Sequence, residues 1–389
     1  MVARWLLRWR VLRSLVRARG VVSWTEVKAH LRHFLRGPRL RHRSGASGTY
    51  ESESRNGNPP PPVLFQMATG YWLSQTVYVA AKLGLADLLK DGPRSCGELA
   101  AAAGTDPWCL YRLMRALSMA SVFVQTQHGH FALASLGKSL QSDVPGSQRA
   151  IIVTLGEIHY HAWGNLLHSI RTGSTAFTSV FKSGLFGYLQ HTPEAAETFN
   201  KGMSDVASML AYAVLLAYDF SGISSLVDVG GGHGTFLRTI LQFNPEMKGT
   251  IFDLHSTIEQ ARQYFNGEPC GDRIAVIGGD FFHSVPEGAD AYVLCGVIHD
   301  WDDDSAIQIL RNCRLALNRN GRLLLVEVVM PDDDRHCFSK LLDLNMLVMT
   351  GGRERTRAEF AVLLKTAGYS LTRIIPTLAP QSVLEAIPN

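Results

Sequence analysis

The chain of 389 residues is 46% apolar, 9% aromatic and 19% charged, which suits a folded protein of two or three domains and excludes a disordered or low-complexity one. Its net charge of +4 is concentrated in residues 1–58, which hold 13 Lys or Arg against 3 Glu and leave the remainder acidic, and its apolar runs fall short of the ~20 residues that a membrane-spanning helix needs. Six cysteines with no CxxC pair and no disulfide-framework spacing point to a reduced, cytoplasmic protein without a metal site.

Residues 1–62 read as a basic extension and a Ser/Gly/Pro linker, SGASGTYESESRNGNPPPP. On a helical wheel its arginines fall on opposite sides, so a targeting helix gains no amphipathic stripe. Residues 63–89 place apolar side chains at helical spacing with a break at Gly84, which predicts a buried, intermolecular helix. Residues 95–140 then predict a winged helix: a short helix, a turn capped by Asp106 with Pro107 at the first helical position, a second helix, and a hairpin at His128-Gly129. Such a unit invites a reading as a DNA-binding regulator. The second helix, however, carries Trp108, Leu110, Tyr111, Leu113, Met114 and Leu117 with only Arg112 and Arg115 as cations, too few groove-reading groups for a nucleic-acid partner. We take 63–150 as this unit, and 151–222, helical and aromatic, as a bridge.

From residue 223 to 389 strands alternate with helices: SSLVDVG, GTIFDL, RIAVIGGD, ADAYVLCGV and GRLLLVEVV. This predicts an α/β fold, a Rossmann-like, doubly wound and mostly parallel sheet. The first strand runs into Asp228-Val229-Gly230-Gly231-Gly232-His233-Gly234, glycines that let backbone approach a ligand at a helix start. The spacing is GxGxG, with Thr235 where a dinucleotide fingerprint has its third glycine, so NAD is disfavoured. An acidic Asp228 suits a cationic or amino-acid ligand better than a pyrophosphate. S-adenosylmethionine, a sulfonium with an ammonium, fits. Asp253 at the second strand end is placed for ribose hydroxyls, Asp280 at the third for an adenine amino group, and Phe281 for the adenine face.

These segments resemble the small-molecule O-methyltransferases of the caffeic acid and hydroxyindole type and their bacterial natural-product relatives. The resemblance covers residues 63–389 and rests on LVDVGGGHG, FDL, GGDFF, VIHDWDDD, LLLVEVV and GGRERTRAEFAVLLKTAGY in family order. It implies a homodimer joined through the N-terminal domain, S-adenosylmethionine as methyl donor, and a small hydroxylated aromatic acceptor, with relatives that methylate nitrogen or catalyse a non-methylating reaction. It makes His299 the general base that deprotonates a phenol for in-line methyl transfer, and Glu327 and Glu354 the acids beside it. Cys295 stands where many plant members carry a cofactor-side Lys, and His255 where the family has Pro. Trp163, Phe199, Met203, Asn345 and Met349 are expected to face the acceptor. The run Asp302-Asp303-Asp304 reads as a helix start rather than a metal site.

Overall fold

A computed structural model describes residues 63–265 and 271–389. The basic extension, the linker and Cys270 lie outside the described residues. The chain begins with helices Val63–Ala68 and Gly70–Lys82, then turns at Gly84, whose φ is 65°. The helical spacing thus holds, but this chain covers only the later part. Leu64, Phe65, Met67, Tyr71 and Trp72 are exposed, whereas Ala80, Ala81 and Leu85 are buried. Helix Cys96–Ala103 carries a capping box between Ser95 and Glu98, and helix Pro107–Met119 is capped by Asp106, which accepts from the Cys109 N–H at 2.8 Å. The strands β1 (Arg94–Ser95), β2 (Phe123–Gln127) and β3 (His130–Leu133) complete the unit as a small sheet in the order β1-β3-β2. Leu110, Met114 and Leu117, spaced three and four apart, face its core.

A series of helices follows, ending in the long Pro193–Ala217 helix. The main sheet is built from β4 (Ser225–Val229), β5 (Lys248–Asp253), β6 (Ile274–Gly278), β7 (Ala291–Cys295), β8 (Arg322–Met330), β10 (Tyr369–Pro376) and β11 (Gln381–Pro388), in the order β10-β11-β8-β7-β4-β5-β6. The five strands β4 to β8 are parallel, as predicted, and β10 and β11 add an antiparallel edge. The short β9 (Arg355–Thr356) pairs with the end of β8. Alternation decides which side each residue serves. Leu323 and Leu325 join one core, with helices Asp303–Ala316 and Arg357–Thr366, while Leu324 and Val326 join the other, with helices Pro193–Ala217 and Thr235–Gln242. The chain order reverses between β4 and β7. Such a switch point opens a crevice at the carboxyl ends of the strands, and most of the predicted site residues lie on or just beyond those ends.

Candidate active site

The glycine loop leaves β4 with Gly230, Gly232 and Gly234 at φ of 72°, 56° and 70°, a backbone that L side chains resist. A Cβ on Gly230 would also lie 2.8 Å from Val297 Cγ2, so the loop must both turn and pass close to the β7 exit. The Gly230 and Gly231 N–H groups donate to the Phe252 carbonyl at 2.8 and 3.3 Å, and the Gly232 N–H donates to Asp253 Oδ2 at 2.8 Å. The second Asp253 oxygen accepts from the Leu254 N–H at 2.7 Å. Asp253 therefore anchors the loop to β5. Its pKa is raised by burial, against the lowering effect of those two N–H bonds.

Asp228 is buried against Gly231, and its Oδ2 has no hydrogen-bond partner. Burial first, then the charge of Asp253, pushes its carboxyl up to about 7. A sealed carboxylate oxygen without a partner, beside a loop of left-handed glycines, fits a ligand group that is cationic or donates hydrogen bonds. Asp280 departs from the simple expectation of a free carboxylate. Oδ1 accepts from the Phe282 N–H at 2.9 Å and Oδ2 meets His283 Nδ1 at 3.1 Å, closing a local turn. Phe281 lies edge-on to Phe282 and Trp301, with centroids 5.1 and 5.9 Å away. Burial, with Asp228 and Glu327 nearby, pushes the Cys295 thiol well above its ordinary range, so it is no thiolate nucleophile. His255 packs its ring onto Gly278, where a Cβ would come within 2.3 Å of Nδ1.

His299 sits where β7 runs out into the Ile298–Asp300 turn. Strand alternation sends Glu327 of β8 to the same side as Leu323 and Leu325, and the register of β9 on β8, Arg355 opposite Val329, brings Glu354 beside it. Glu327 Oε1 accepts from the Val297 and Ile298 N–H groups at 3.1 and 2.8 Å, and its Oε2 lies 3.8 Å from His299 Nδ1. Glu354 Oε1 accepts from that same Nδ1 at 3.0 Å. Both carboxylates thus face one ring nitrogen, so in the neutral ring Nδ1 carries the proton and Nε2 the lone pair. Burial alone would lower the His299 pKa, but the Glu327 charge and the Glu354 hydrogen bond raise it, to about 10. Burial pushes Glu327 up to about 7, against the pull of His299.

The three residues His299, Glu327 and Glu354 could also ligate a cation, their donor atoms lying within 4.8 Å of one another. Nδ1 and Glu354 Oε1, 3.0 Å apart, are also at hydrogen-bonding distance of each other.

The groups that hold His299 in place were not found from the sequence. Arg355 is fully buried and donates to Asp303 Oδ1 at 2.9 and 2.7 Å, to the Ile298 carbonyl at 3.1 Å and to the Trp301 carbonyl at 2.9 Å. Gly352 passes so close that a Cβ would lie 2.0 Å from the His299 carbonyl oxygen, and the Arg353 N–H donates to that oxygen at 2.9 Å. Asp343 accepts from the Glu354 N–H at 2.9 Å. The motif GGRERT contains most of these groups, but only the fold shows what they touch. As expected, Asp302 caps its helix, accepting from the Ser305 N–H at 2.8 Å.

Of the acceptor-side residues, Trp163, Phe199 and Met349 gather in one apolar cluster with Ile158 and Phe177. Asn345 joins them by a hydrogen bond, accepting from Trp163 Nε1–H at 2.9 Å. Met203, half-buried on the Phe199 helix, lies outside that cluster. His159, which sequence reasoning also missed, meets Asn345 Oδ1 with Nδ1 at 3.2 Å, and burial lowers its pKa to about 4.

Residues 163–370 match the O-methyltransferase domain family, and residues 65–143 the O-methyltransferase dimerisation domain family. The phenazine O-methyltransferase PhzM of Lysobacter antibioticus is 42% identical over 338 residues, 87% of this chain and 99% of that protein. The O-demethylpuromycin-O-methyltransferase of Streptomyces alboniger is 37% identical over 84% of this chain and 88% of its own, and the phenazine-1-carboxylate N-methyltransferase of Pseudomonas aeruginosa is 34% identical over 80% and 92%. The crystal structure of LaPhzM superposes with a TM-score of 0.83 at 42% identity, covering 85% of this chain and all of that one. Human N-acetylserotonin methyltransferase, solved with SAM, gives 0.80 at 27% identity over 88% of this chain and all of its own. The chain belongs to the O-methyltransferase family, an enzyme class, which removes the DNA-binding regulator as a rival reading.

Proposed function

We propose that this member of the O-methyltransferase family methylates a hydroxyl of a small aromatic metabolite, with S-adenosylmethionine as methyl donor and His299 as general base. One observation carries the reading: Nδ1 of His299 is held by Glu354 at 3.0 Å, with Glu327 behind it, so Nε2 is left for the acceptor. A phenol of pKa ~10 is protonated near neutral pH. A His299 pKa raised to about 10 matches it, so once the ring is neutral the proton passes from oxygen to Nε2 at little free-energy cost. Glu354 fixes the tautomer, and both carboxylates stabilise the imidazolium. S-adenosylmethionine supplies, when bound, the electrophilic methyl group. Asp228 and the glycines 230, 232 and 234 receive its amino-acid end, Asp253 its ribose, and Asp280, Phe281 and Cys295 its adenine.

Trp163, Phe199, Met203, Asn345 and Met349 hold the acceptor flat against an apolar wall. The exposed Leu64, Phe65, Met67 and Trp72, within a match to a dimerisation domain, support a homodimer through the N-terminal unit of residues 63–150, with 151–222 as the bridge and 223–389 as the cofactor-binding domain. No step in this reading uses a metal. Among the described residues no helix is long and apolar enough to cross a membrane. The test is transfer of a labelled methyl from S-adenosylmethionine to a panel of aromatic acceptors, with the modified atom mapped by NMR. An O-methyl product carries the proposal. An N-methyl product would instead place the chain beside its Pseudomonas aeruginosa relative, since a neutral nitrogen attacks through its own lone pair and needs no base.

A further inference from the structure

The residues His159, Trp163 and Asn345 form a polar group whose hydrogen bonds fix its chemistry. Asn345 Oδ1 accepts both from Trp163 Nε1–H at 2.9 Å and from His159 Nδ1–H at 3.2 Å. A carbonyl oxygen has two lone pairs, so both are used and the amide cannot flip. Its Nδ2 must then point away from both donors. Among the described residues no group engages Asn345 Nδ2 or His159 Nε2, and neither is among the buried polar atoms left without a partner, so both open onto reachable space. With Nδ1 carrying the proton, the neutral His159 ring presents Nε2 as an acceptor. The pair offers one N–H donor and one lone pair side by side.

Two further features support a binding role for this pair. The local helix widens to π geometry over Leu155–His159, a distortion found often at functional sites, and it is held there by Tyr78, whose ring occupies the place of any Cβ on Gly156. The helix Ser339–Met349 also carries Asn345 one turn before Met349, and the segment after it, Thr350 to Arg353, reaches the His299 carbonyl through Gly352 and Arg353. One element therefore joins this pair to the base loop, with the Trp163, Phe199 and Met349 cluster beside it.

The geometry points to a polar subsite for a neutral, hydrogen-bonding substituent of the aromatic acceptor: a carbonyl or ring nitrogen that takes the Asn345 Nδ2 proton, beside an N–H or O–H that meets His159 Nε2. A carboxylate is disfavoured, because it would face the His159 lone pair and find no cation among these three residues. Burial keeps His159 neutral, its pKa lowered to about 4, which sustains that discrimination across the physiological range. This inference rests on the methyltransferase reading above and adds the acceptor's chemistry to it.

The test compares matched hydroxynaphthamides and hydroxynaphthoates, with the parent naphthols as reference, in wild type and in Asn345→Asp and His159→Phe. Asn345→Asp keeps an oxygen for both donors, so the fold is preserved, while the outward N–H is lost. The wild type is expected to favour amide over carboxylate by about 10-fold or more in kcat/KM, the discrimination a site gains from one matched buried hydrogen bond. Each variant should cut the amide-to-naphthol ratio by a similar factor, chiefly through KM. Equal treatment of amide and carboxylate by the wild type, or a fall in all three acceptors by one common factor, overturns the subsite while leaving methyl transfer intact. Failure of the wild type to methylate any naphthol would overturn the function itself. As an independent readout, the 15N shifts of His159 should show a neutral Nδ1–H ring between pH 5 and 8, and an Nε2–H ring would contradict the assignment.

Discussion

Replacing Glu327 by Gln tests the electrostatics of the base with the least disturbance of shape. The Gln oxygen can still accept from the Val297 and Ile298 N–H groups, as Glu327 Oε1 does at 3.1 and 2.8 Å, so the β7 exit keeps its anchor. What is lost is a full charge 3.8 Å from His299 Nδ1. At that distance, with an effective dielectric constant of about 20, the attraction is about 4 kcal/mol, which corresponds to about three powers of ten in proton affinity. His299, now at about 10, should fall to about 7. The proton that must leave the His299 and phenol pair then leaves earlier. For the wild type kcat/KM should climb from neutral pH to about 10, whereas in Glu327→Gln the climb should end near 7. The variant's plateau should be lower, within the about 10²–10⁴-fold that general-base catalysis contributes, because a weaker base remains. The assay is initial-rate methyl transfer between pH 6 and 10.5 at subsaturating acceptor. An ascending limb that stays where the wild type has it, with only a lower amplitude, would refute the argument that Glu327 sets the basicity of His299.

Other outcomes follow from the same geometry. Gly352→Ala adds a Cβ 2.0 Å from the His299 carbonyl oxygen, so the base loop must move; kcat should drop about 10²-fold or more by misplacement, with S-adenosylmethionine affinity by calorimetry unchanged, and near-normal turnover would show that the loop yields at no cost. Asp228→Asn should stabilise the fold in a pH-dependent way. The folded pKa of about 7 stands above the ordinary aspartate value of about 4, so what this group contributes is complete below about 4 and is lost as pH rises through about 7. The variant's advantage should therefore grow from near zero at pH 4 to at most about 4 kcal/mol at pH 8, read by denaturant unfolding, and a difference independent of pH would contradict the buried-charge account. Prolonged chelation should leave methyl transfer untouched, since the proposed base chemistry routes no step through a metal; loss restored by a divalent cation would overturn that reading.

The sequence carried the frame of the site because its main signals are local. The GxGxG turn announces itself by glycines that must adopt positive φ, and all three do. Glu327 stands out as a charge within Leu323, Leu324, Leu325, Val326, Val328 and Val329, and a lone charge in such a strand demands a partner. What stayed hidden depends on tertiary register. Arg355 reads as one more basic residue in GGRER until β9 pairs with β8 and closes it over the base loop. His159 lies 186 residues from Asn345, and a helix that widens by one residue is not visible in periodicity. Asp253 and Asp280 were placed at the correct strand ends, yet their carboxylates engage the Gly232 N–H and the Phe282 N–H, contacts that spacing alone cannot foretell. The N-terminal helix was expected to be buried, and its first turns are exposed on this chain, because hydrophobic spacing does not say which chain covers it.

The most direct measurement of the central claim pairs two assays on wild type and His299→Ala: calorimetric binding of S-adenosylmethionine and transfer of its labelled methyl to a phenolic acceptor. The account predicts that the variant binds the donor as the wild type does and loses transfer by about 10²-fold or more. Transfer that survives the substitution would contradict the assignment of His299 as the base and leave the chain as a positioning enzyme for an acceptor that needs none.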